Sequence, residues 1–432
     1  MSAPALVRHL ARPLAKLALA AALGTAGAEG ANAADVLYAT GTGYAGALSG
    51  LYRIDTASGA VSQVAPLPGI SVYENGLAYD AASDALYAIG RQDSLGTQSR
   101  LFRINRFTAQ VIAFPPINPA YNLQGGGLAL HPLTGELFAS GGNGFQSSGI
   151  FRIDKQTGVA TLIGQAGGSC CVQPFGFNVN GLGFRSDGTL FANGFTLQSG
   201  LPSGAYTKLM TVNTVTGLAS VIGFHGVNVG GQLSSSGLAF GANGVLYSLG
   251  STSASTTGLY QVDPLTGAAT VIANLSQQIG ANGGLAFAPD GAPQSFCTAK
   301  VNSQGCTPAI QASGSASLSS AAPFHVLATN VLNQRAGLLF YGYAPLGAPF
   351  QGGFKCAADP VRRTALQNAG GAPLPTNDCS GAYVFDFNAL VQSGVDPQLV
   401  LGQRVVAQYW SRDPMSASTT GLTDAVQFHV LP

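Results

Sequence analysis

A short apolar phrase that recurs through most of the chain constrains the fold more than any other feature. It begins with Gly-Leu and a small residue, and its copies start at Gly76, Gly127, Gly181, Gly237 and Gly284, which are 51, 54, 56 and 47 residues apart. After each of the first four copies, polar turns separate three further apolar phrases. These phrases are rich in β-branched and aromatic residues and are bounded by Gly, Asp, Asn or Ser, which predicts β-strands.

Four strands in a period of about 50 residues predict one blade of a β-propeller per repeat, so the expected fold class is all-β. The chain before Gly76 contains second and third phrases at residues 36–39 and 51–55, whereas Gly284 opens a phrase that has no successors. Joining these two ends completes a blade. The sequence therefore predicts a five-bladed propeller over residues 35–293, closed by strands from both ends of the repeat region, which protects the sheet edges from pairing with other chains.

The N-terminus has the layout of an export signal. Arg8, Arg12 and Lys16 precede an apolar stretch over residues 17–23, and small residues follow up to Ala33. This order predicts a signal peptide over residues 1–33, and the alternative interpretation is a short core helix. No later stretch approaches the roughly 20 apolar residues of a membrane-spanning helix. The expected location is secreted, periplasmic or at the cell surface.

The charge balance excludes one class of partner. The chain has 19 Lys and Arg residues against 18 Asp and Glu residues, and only 9% of its residues are charged. A nucleic-acid binder needs clustered basic residues to neutralise phosphates, and the sequence has no such cluster. The partners that we expect are a glycan, a small molecule or an extracellular protein.

The cysteines indicate disulfide bonds, because all six follow the predicted signal peptide and an even count is typical of exported proteins. They are Cys170, Cys171, Cys297, Cys306, Cys356 and Cys379. Six cysteines allow 15 pairings, among which 297–306 and 356–379 would close short loops. The adjacent pair at 170 and 171 forms either a vicinal disulfide or two separate bonds. It would staple its loop or stiffen a platform for a small ligand.

The sequence changes character after residue 296. Residues 297–432 lack the repeated phrase, and their alternating apolar segments predict a β-sandwich. The predicted strands lie near residues 324–328, 337–342, 383–387, 405–410 and 425–430, and a small helix or turn is expected at 363–368. Trp410, Arg412 and Asp413 are candidates for a recognition patch, and the alternative is an Arg–Asp pair that has a structural role beside a buried Trp.

The repeated phrases resemble those of bacterial propellers of the NHL, WD-repeat-like and gluconolactonase-like kind. That resemblance implies the architecture, since such propellers include enzymes, binding proteins and scaffolds. The C-terminal segment is similar to modules attached to diverse exported proteins of environmental bacteria. The phrases that carry this similarity are Gly337-Leu-Leu-Phe-Tyr-Gly, Asp378-Cys-Ser-Gly and Gln408-Tyr-Trp-Ser-Arg-Asp-Pro. It implies surface display, sorting or adhesion.

The long Gly- and Ser-rich loops on one face of the predicted propeller are the expected place for a ligand site. The candidate contacts are Glu74, Asn75, Gln124, Asn180, His225 and Asn282. The gluconolactonase-like resemblance implies a divalent metal held by carboxylate, Asn and carbonyl oxygens, so Ca²⁺ is a candidate cofactor. The alternative is that these Asn residues satisfy the backbone of the loops and that the lone His lies at the surface.

Two functions follow from these features. The first is an exported, non-enzymatic binding or scaffold protein that presents the propeller loop face to its partner. The second is a metal-assisted hydrolase, lactonase or lyase with its site at the mouth of the central channel. Glycosidases of this architecture use paired carboxylates at that mouth. Glu74 and Asp93 are the only acidic residues in the long loops, and they do not form a convincing set.

Overall fold

The computed structural model describes the repeat region with gaps and the C-terminal region without interruption. The described residues are 35–42, 49–72, 76–92, 98–119, 121, 123, 126–142, 148–167, 177–196, 207–227, 237–253, 256–275, 278–279 and 282–432. In these ranges the chain forms β-strands joined by turns, together with one helix. No helix in these ranges is long and apolar enough to cross a membrane.

The described part of the repeat region, residues 35–293, contains five four-stranded antiparallel sheets. The first sheet combines strands from both ends of this region: β20 (Asn282–Pro289), β1 (Asp35–Thr42), β2 (Ser49–Ile54) and β3 (Val61–Pro66). The second consists of β4 (Leu77–Asp80), β5 (Ala85–Gly90), β6 (Arg100–Ile104) and β7 (Val111–Pro116). The third consists of β8 (Leu128–Leu130), β9 (Leu137–Gly141), β10 (Gly149–Ile153) and β11 (Ala160–Gln165).

The remaining two sheets of the repeat region also follow the order of the chain. The fourth consists of β12 (Phe177–Phe184), β13 (Leu190–Thr196), β14 (Thr207–Val212) and β15 (Ala219–Phe224). The fifth consists of β16 (Gly237–Phe240), β17 (Leu246–Ser253), β18 (Thr256–Val262) and β19 (Ala269–Asn274). The innermost strands contact one another in the order β20, β4, β8, β12, β16 and again β20. Four-stranded sheets around a common centre are the architecture of a β-propeller.

The glycine of the opening phrase is required by the close approach of the innermost strands. A Cβ atom added to Gly76 would lie 1.8 Å from the backbone N of Leu128, and one added to Gly284 would lie 2.0 Å from the backbone N of Leu77. No side chain fits at these distances, because the backbones of neighbouring innermost strands touch there. The Gly at the start of the phrase therefore allows this close contact between strands, in addition to the strand pattern that follows it.

The second and third strands of the sheets are buried on both faces, because each sheet packs between two others. In β1, for example, Leu37, Tyr38 and Ala39 are all buried, although alternate residues point to opposite faces. The fourth, outermost strands retain only partial burial, as the pattern of β19 shows. This gradient explains why the second phrases are continuous apolar runs and not alternating ones.

The Asp residues that follow the third strands fix turns, as the sequence predicts. Asp154 Oδ1 accepts hydrogen bonds from the backbone N–H groups of Gln156 and Thr157, both at 2.8 Å. Asp55 makes the same pair of bonds to Ala57 and Ser58 at 3.0 and 2.7 Å. These bonds replace water at the turn and explain why the acids recur with the repeat.

A second recurring polar contact was not predicted. Ser99 Oγ, at the entry to the third strand of its sheet, accepts a hydrogen bond from Leu123 N at 3.1 Å. Ser148 Oγ does the same for Val179 N at 2.9 Å. Both serines are buried, so each bond satisfies a backbone donor that is shielded from water. The serine thereby ties one sheet to the segment that leads into the next.

The C-terminal region, residues 294–432, contains two sheets that pack face to face, together with a hairpin. The larger sheet has the order β21 (Gln294–Phe296), β31 (Thr420–His429), β30 (Arg404–Arg412), β24 (Ala336–Gly342) and β27 (Arg362–Arg363), and β28 (Gln367–Asn368) also pairs with β24. The smaller sheet has the order β22 (Ala309–Ser313), β23 (His325–Val331) and β29 (Gly381–Asp386). The hairpin consists of β25 (Pro345–Phe350) and β26 (Gly353–Ala357).

The core of the C-terminal region lies between its two sheets. Tyr383 of β29 stacks on Tyr409 of β30 with ring centroids 5.3 Å apart. The Tyr409 hydroxyl crosses the core and donates a hydrogen bond to Val326 O at 3.1 Å. The five strand segments expected from the sequence correspond to β23, β24, β29, β30 and β31.

At residues 363–368, where the sequence predicts a small helix or a turn, the chain forms no helix and is extended. Thr364 in that segment bonds to the edge of β24, where its backbone N–H donates to Leu339 O at 2.9 Å and its hydroxyl accepts from Leu339 N at 3.2 Å. The unpaired edge of β24 thus holds the segment extended. The observed helix is α1 (Phe387–Ser393), which is capped by Asp386 at its start and by Gly394 in the left-handed conformation at its end.

Candidate functional site

The ligand site predicted at the propeller mouth falls mainly on parts of the chain that the structure leaves out. Glu74, Asn75 and Gln124 lie outside the described residues, and so do the adjacent cysteines Cys170 and Cys171. Their roles in binding a ligand or metal, and the pairing of these two cysteines, stay predictions.

Two of the predicted Asn residues belong to innermost strands. Asn180 lies half-buried in β12, and Asn282 is the first residue of β20, where its backbone pairs with Gly41 of β1. Ligand contact at either residue stays a prediction. Within the described ranges, no group of three or more His, Cys, Asp or Glu side chains has an arrangement that could hold a metal ion.

His225 is a core residue and not a surface residue. Its backbone N–H donates to Thr207 O, the first residue of the third strand, and four buried apolar residues make the same bond in the other sheets: Leu67, Ile117, Ala166 and Leu275. The His225 side chain is 1% exposed, and its Nδ1 lies 2.7 Å from Gly267 O. Burial lowers the pKa of His225, and the bond to Gly267 opposes this shift only in part. A neutral imidazole therefore occupies a repeated apolar position.

The C-terminal cysteines form disulfides, but not between neighbours in the sequence. Cys297 is bonded to Cys356, and Cys306 is bonded to Cys379, with sequence separations of 59 and 73 residues. The pairings 297–306 and 356–379, which would close short loops, do not form. The fold explains this difference, because Cys297 follows β21 and Cys356 lies in β26, which packs over the same sheet.

The three residues of the predicted patch do not lie together, because Trp410 and Arg412 share one face of β30 and Asp413 does not. Trp410 and Arg412 are two residues apart in β30 and share one face, and the Arg412 guanidinium lies 5.3 Å from the centre of the Trp410 ring. Asp413 is fully buried and accepts a hydrogen bond from Ser303 N at 2.8 Å. The expected Arg–Asp pair is therefore absent from this site, whereas Trp410 and Arg412 do lie together.

Trp410 and Arg412 line a cleft of about 520 Å³ on the outer face of the larger sheet. Its floor consists of Leu338 and Phe340 of β24 and of Trp410, which is directly opposite Leu338. Alternate residues of the same strands, such as Leu339 and Tyr409, point into the core. Because successive residues of a strand point to opposite faces, β24 and β30 present aromatic and aliphatic side chains on the face that lies away from the core.

Two short segments form the walls of the cleft. The β25–β26 hairpin contributes Phe350 and Gln351, and Gln351 Oε1 accepts a hydrogen bond from Trp410 Nε1 at 3.3 Å. The Cys297–Cys356 disulfide attaches this hairpin to the sheet. The opposite wall consists of Val361 and Leu366, and the Leu366 side chain is 66% exposed. One wall is therefore covalently anchored, and the apolar floor lies between the two.

Four charged side chains lie at the rim of the cleft, and two of them neutralise each other. Lys355 Nζ is 2.6 Å from Asp359 Oδ1. Arg363 and Arg412 are exposed, and neither has a carboxylate within ion-pairing distance in this fully described region. The rim therefore has two uncompensated positive charges, while the floor is apolar.

Sequence reasoning located Trp410 and Arg412 but missed the cleft. Phe340 belongs to a strand that was expected, and Arg363 lies in a segment for which a small helix or a turn was expected, so nothing in the sequence brought these residues together. The sequence shows one relevant pattern, in which Phe350 and Phe354 flank a Gln-Gly-Gly turn, and the structure leaves both side chains more than one-third exposed, at 38% and 40%. Exposed aromatic side chains beside a turn indicate a contact surface.

No protein-family model and no curated protein matches the sequence. Solved structures give distant likenesses. TolB from Acinetobacter baumannii matches with a TM-score of 0.33 and 14% identity over 56% of this chain and 52% of that chain, so the match spans about half of TolB.

Two other likenesses cover almost the whole of the compared protein. An engineered GH43 glycoside hydrolase matches with a TM-score of 0.38 and 9% identity over 92% of this chain and 95% of that chain. A putative lactonase of 6-phosphogluconate type from Bacteroides fragilis matches with a TM-score of 0.34 and 13% identity over 59% of this chain and 98% of that chain. With such low TM-scores, these likenesses assign neither a family nor an activity to this chain.

Proposed function

We propose that this chain is an exported, non-enzymatic binding protein with two modules. A signal peptide over residues 1–33 directs export, residues 35–293 form a closed five-bladed propeller, and residues 297–432 form the ligand-binding module. The pairing of β20 with β1 supports closure, because it joins the two ends of the repeat region in one sheet. The two disulfides support a location outside the cytoplasm, since such bonds persist in oxidising compartments.

One observation carries the binding function: the cleft of about 520 Å³ with Leu338, Phe340 and Trp410 as its floor. Its volume lies within the range of roughly 300–1,000 Å³ that is usual for small-molecule sites. The residues that line it include no Ser, Cys or His, and its single carboxylate is paired with Lys355. Such a lining supports binding and orientation of a ligand more than chemical transformation.

The propeller serves as a scaffold and as a second contact surface. The C-terminal region packs against the turn between β4 and β5, where Arg404 donates hydrogen bonds to Ala81 O and Ala82 O, both at 3.4 Å. In a propeller this turn lies on the face opposite to the loops between second and third strands. The long-loop face is thereby left for a glycan or an extracellular protein.

The test uses Trp410, which is the only Trp in the sequence and lies in the cleft. The oxidised protein without residues 1–33 is titrated with phenylnaphthylamine, a neutral probe that carries a naphthalene and a phenyl group, while Trp410 fluorescence is recorded. We expect saturable quenching in the wild type and its loss in Ala336→Phe, since Ala336 is exposed and lines the cleft. Equal quenching in Ala336→Phe, or none in the wild type, would contradict the proposed function.

A further inference from the structure

The proposed function does not specify the chemical class of the ligand, but the charged side chains at the rim of the cleft indicate one. The ligand class inferred from these charges rests on the proposed function and concerns the same cleft. Its floor combines the flat ring of Trp410 with Leu338 and Phe340, which is a surface for a ring or another flat apolar group. Few hydrogen-bonding groups line this floor, so a neutral sugar would lose more hydrogen bonds to water than it gains there.

Arg412 and Arg363 lie at opposite ends of the floor. Ser411, next to Arg412, pairs with Gly337 on one edge of β24, and Arg363 pairs with Phe340 on the other edge. The three-residue step from 337 to 340 corresponds to about 10 Å along a strand. A ligand that covers the floor therefore has a guanidinium within reach at each end.

The two arginines are available to a ligand. Arg412 contacts the Trp410 ring, which orients its guanidinium but leaves its hydrogen-bond donors unused by carboxylates. Arg363 is exposed and lies in the two-residue strand β27. The other residue of this strand, Arg362, is paired with Asp396, and the two side chains are 2.6 Å apart. Arg362 thus holds the segment in place, and Arg363 points toward the cleft. Guanidinium groups bind carboxylate, sulfate and sulfonate groups through paired hydrogen bonds.

We propose that the cleft binds a ring-containing organic anion about two rings long, with its apolar body on Leu338, Phe340 and Trp410 and its acidic group on Arg412 or Arg363. The Lys355–Asp359 pair adds no net charge, so the attraction comes from the two arginines. This arrangement distinguishes an anionic ring compound from a neutral one by charge and from a simple anion by its apolar body.

The experiment compares two probes that share a ring system. Anilinonaphthalene sulfonate carries a sulfonate, and phenylnaphthylamine is the same molecule without it. Each is titrated into the full oxidised chain without residues 1–33 and into the variants Arg412→Gln, Arg363→Gln, Ala336→Phe and Arg152→Gln. Arg152 is the control, because it is an exposed propeller residue far from the cleft lining. Thermal unfolding confirms that each variant is folded.

We expect the wild type to bind the sulfonate about tenfold more tightly than the neutral probe, and added salt to reduce this preference. Arg412→Gln and Arg363→Gln each weaken sulfonate binding by about threefold to tenfold and leave neutral-probe binding unchanged, while Arg152→Gln changes neither. Equal binding of both probes in the wild type, or sulfonate binding that neither Arg412→Gln nor Arg363→Gln weakens, with loss of both probes in Ala336→Phe, would overturn the anion preference but keep the proposed function. Binding that survives Ala336→Phe would overturn both.

A competition arm identifies the source of the anion. Naphthoate represents a free aromatic acid, and an oligomer of galacturonate represents an acidic glycan. Displacement of the sulfonate probe by naphthoate supports an anion with an apolar ring, whereas displacement by the oligomer and not by naphthoate would overturn the proposal, because galacturonate has the charge without the apolar body. Displacement by naphthalene methanol at the same concentration as naphthoate would overturn it, because that alcohol has the ring without the charge.

Discussion

His429 Nε2 lies 2.5 Å from Asp84 Oδ2, although 345 residues separate them in the chain. Asp84 belongs to the turn between β4 and β5, and His429 ends β31, so this contact joins the repeat region to the C-terminal region. Asp84 also accepts hydrogen bonds from Tyr79 at 2.7 Å and from Arg106 at 3.1 Å. Arg106 is completely buried, and its guanidinium lies 4.1 Å from the centre of the Phe107 ring. One carboxylate thus compensates a buried cation and anchors the two regions.

Replacing Asp84 by Asn tests this anchor. The substitution keeps the size of the side chain, and Asn tolerates the left-handed backbone of residue 84, where φ is 50°. It leaves the Arg106 charge buried without a carboxylate, which we expect to cost about 3–5 kcal/mol of the free energy of unfolding in urea. Asp187→Asn is the matched control, because its pair with Arg185 is exposed to solvent and should contribute far less to the free energy of unfolding. Equal costs for the two variants would contradict the anchor.

The same carboxylate makes stability depend on pH in the acid range. Burial acts to raise the pKa of Asp84, but the hydrogen bond from His429 and the charges of His429 and Arg106 outweigh it, so the pKa is lowered. A carboxyl whose folded pKa is depressed stabilises the fold above its unfolded value of about 3.9, and this contribution is lost as the pH falls through the folded pKa. The difference in unfolding free energy between wild type and Asp84→Asn should shrink below about pH 4. A constant difference down to full acid unfolding would contradict this assignment.

His225 predicts a second pH dependence in a higher range. Burial lowers its pKa in the folded protein, so the unfolded chain binds the proton more tightly. The neutral form therefore stabilises the fold above about pH 6.5, and this contribution is lost as the pH falls from there toward the folded pKa. His225→Leu should remove the dependence, since Leu occupies the same position in two other sheets at Leu67 and Leu275. At neutral pH the variant should lose about 1–3 kcal/mol, because Gly267 O is left without its buried hydrogen-bond donor. An unchanged pH profile in His225→Leu would show that another group titrates.

The two disulfides of the C-terminal region should separate stability from binding. Replacing Cys297 and Cys356 together by Ala should cost about 2–4 kcal/mol and weaken probe binding, because this bond attaches one cleft wall to the sheet. Replacing Cys306 and Cys379 by Ala removes a bond of comparable loop length and should cost a similar amount. Binding in the second variant, measured by Trp410 quenching well below its unfolding temperature, should equal that of the wild type. Equal loss of binding in both variants would mean that general stability and not the wall controls the cleft.

Chelation of divalent metals should have different effects if the protein is a binding protein and if it is a metal-assisted enzyme. If the cleft carries the function, removing divalent metals should change neither probe affinity nor the loss seen in Ala336→Phe. The measurement is elemental analysis of the purified protein before and after chelation, followed by the same fluorescence titration. A stoichiometric metal whose removal abolishes ligand binding would favour the alternative and direct attention to Glu74 and Asn180.

The sequence predicts the parts of this fold that depend on local pattern. The phrase starting at Gly284 indicates a strand, and its pairing with the strand at Val36 follows from completing the repeat. By contrast, the Cys297–Cys356 bond and the Asp84–His429 contact depend on how distant segments pack, and each residue alone looks like an ordinary cysteine or turn acid. The segment around Thr364 is compatible with a small helix or a turn when it is considered alone, yet the edge of β24 decides its conformation.

In the candidate site, too, the residues placed by local pattern could be predicted and those placed by long-range packing could not. Trp410 and Arg412 could be paired from sequence, because a period of two in a strand places them on one face. Asp413 could not be separated from them without knowing where β30 ends. Arg363 reaches the cleft only through the pairing of β27 with β24, a pairing that involves two residues and leaves no pattern in the sequence.

The most direct test of the central claim is a crystal structure of the oxidised protein without residues 1–33 in complex with anilinonaphthalene sulfonate. We expect the naphthalene ring to lie on Trp410 between the β25–β26 hairpin and Leu366, with the sulfonate on Arg412 or Arg363. A probe bound at the mouth of the propeller, with the C-terminal cleft empty, would contradict it.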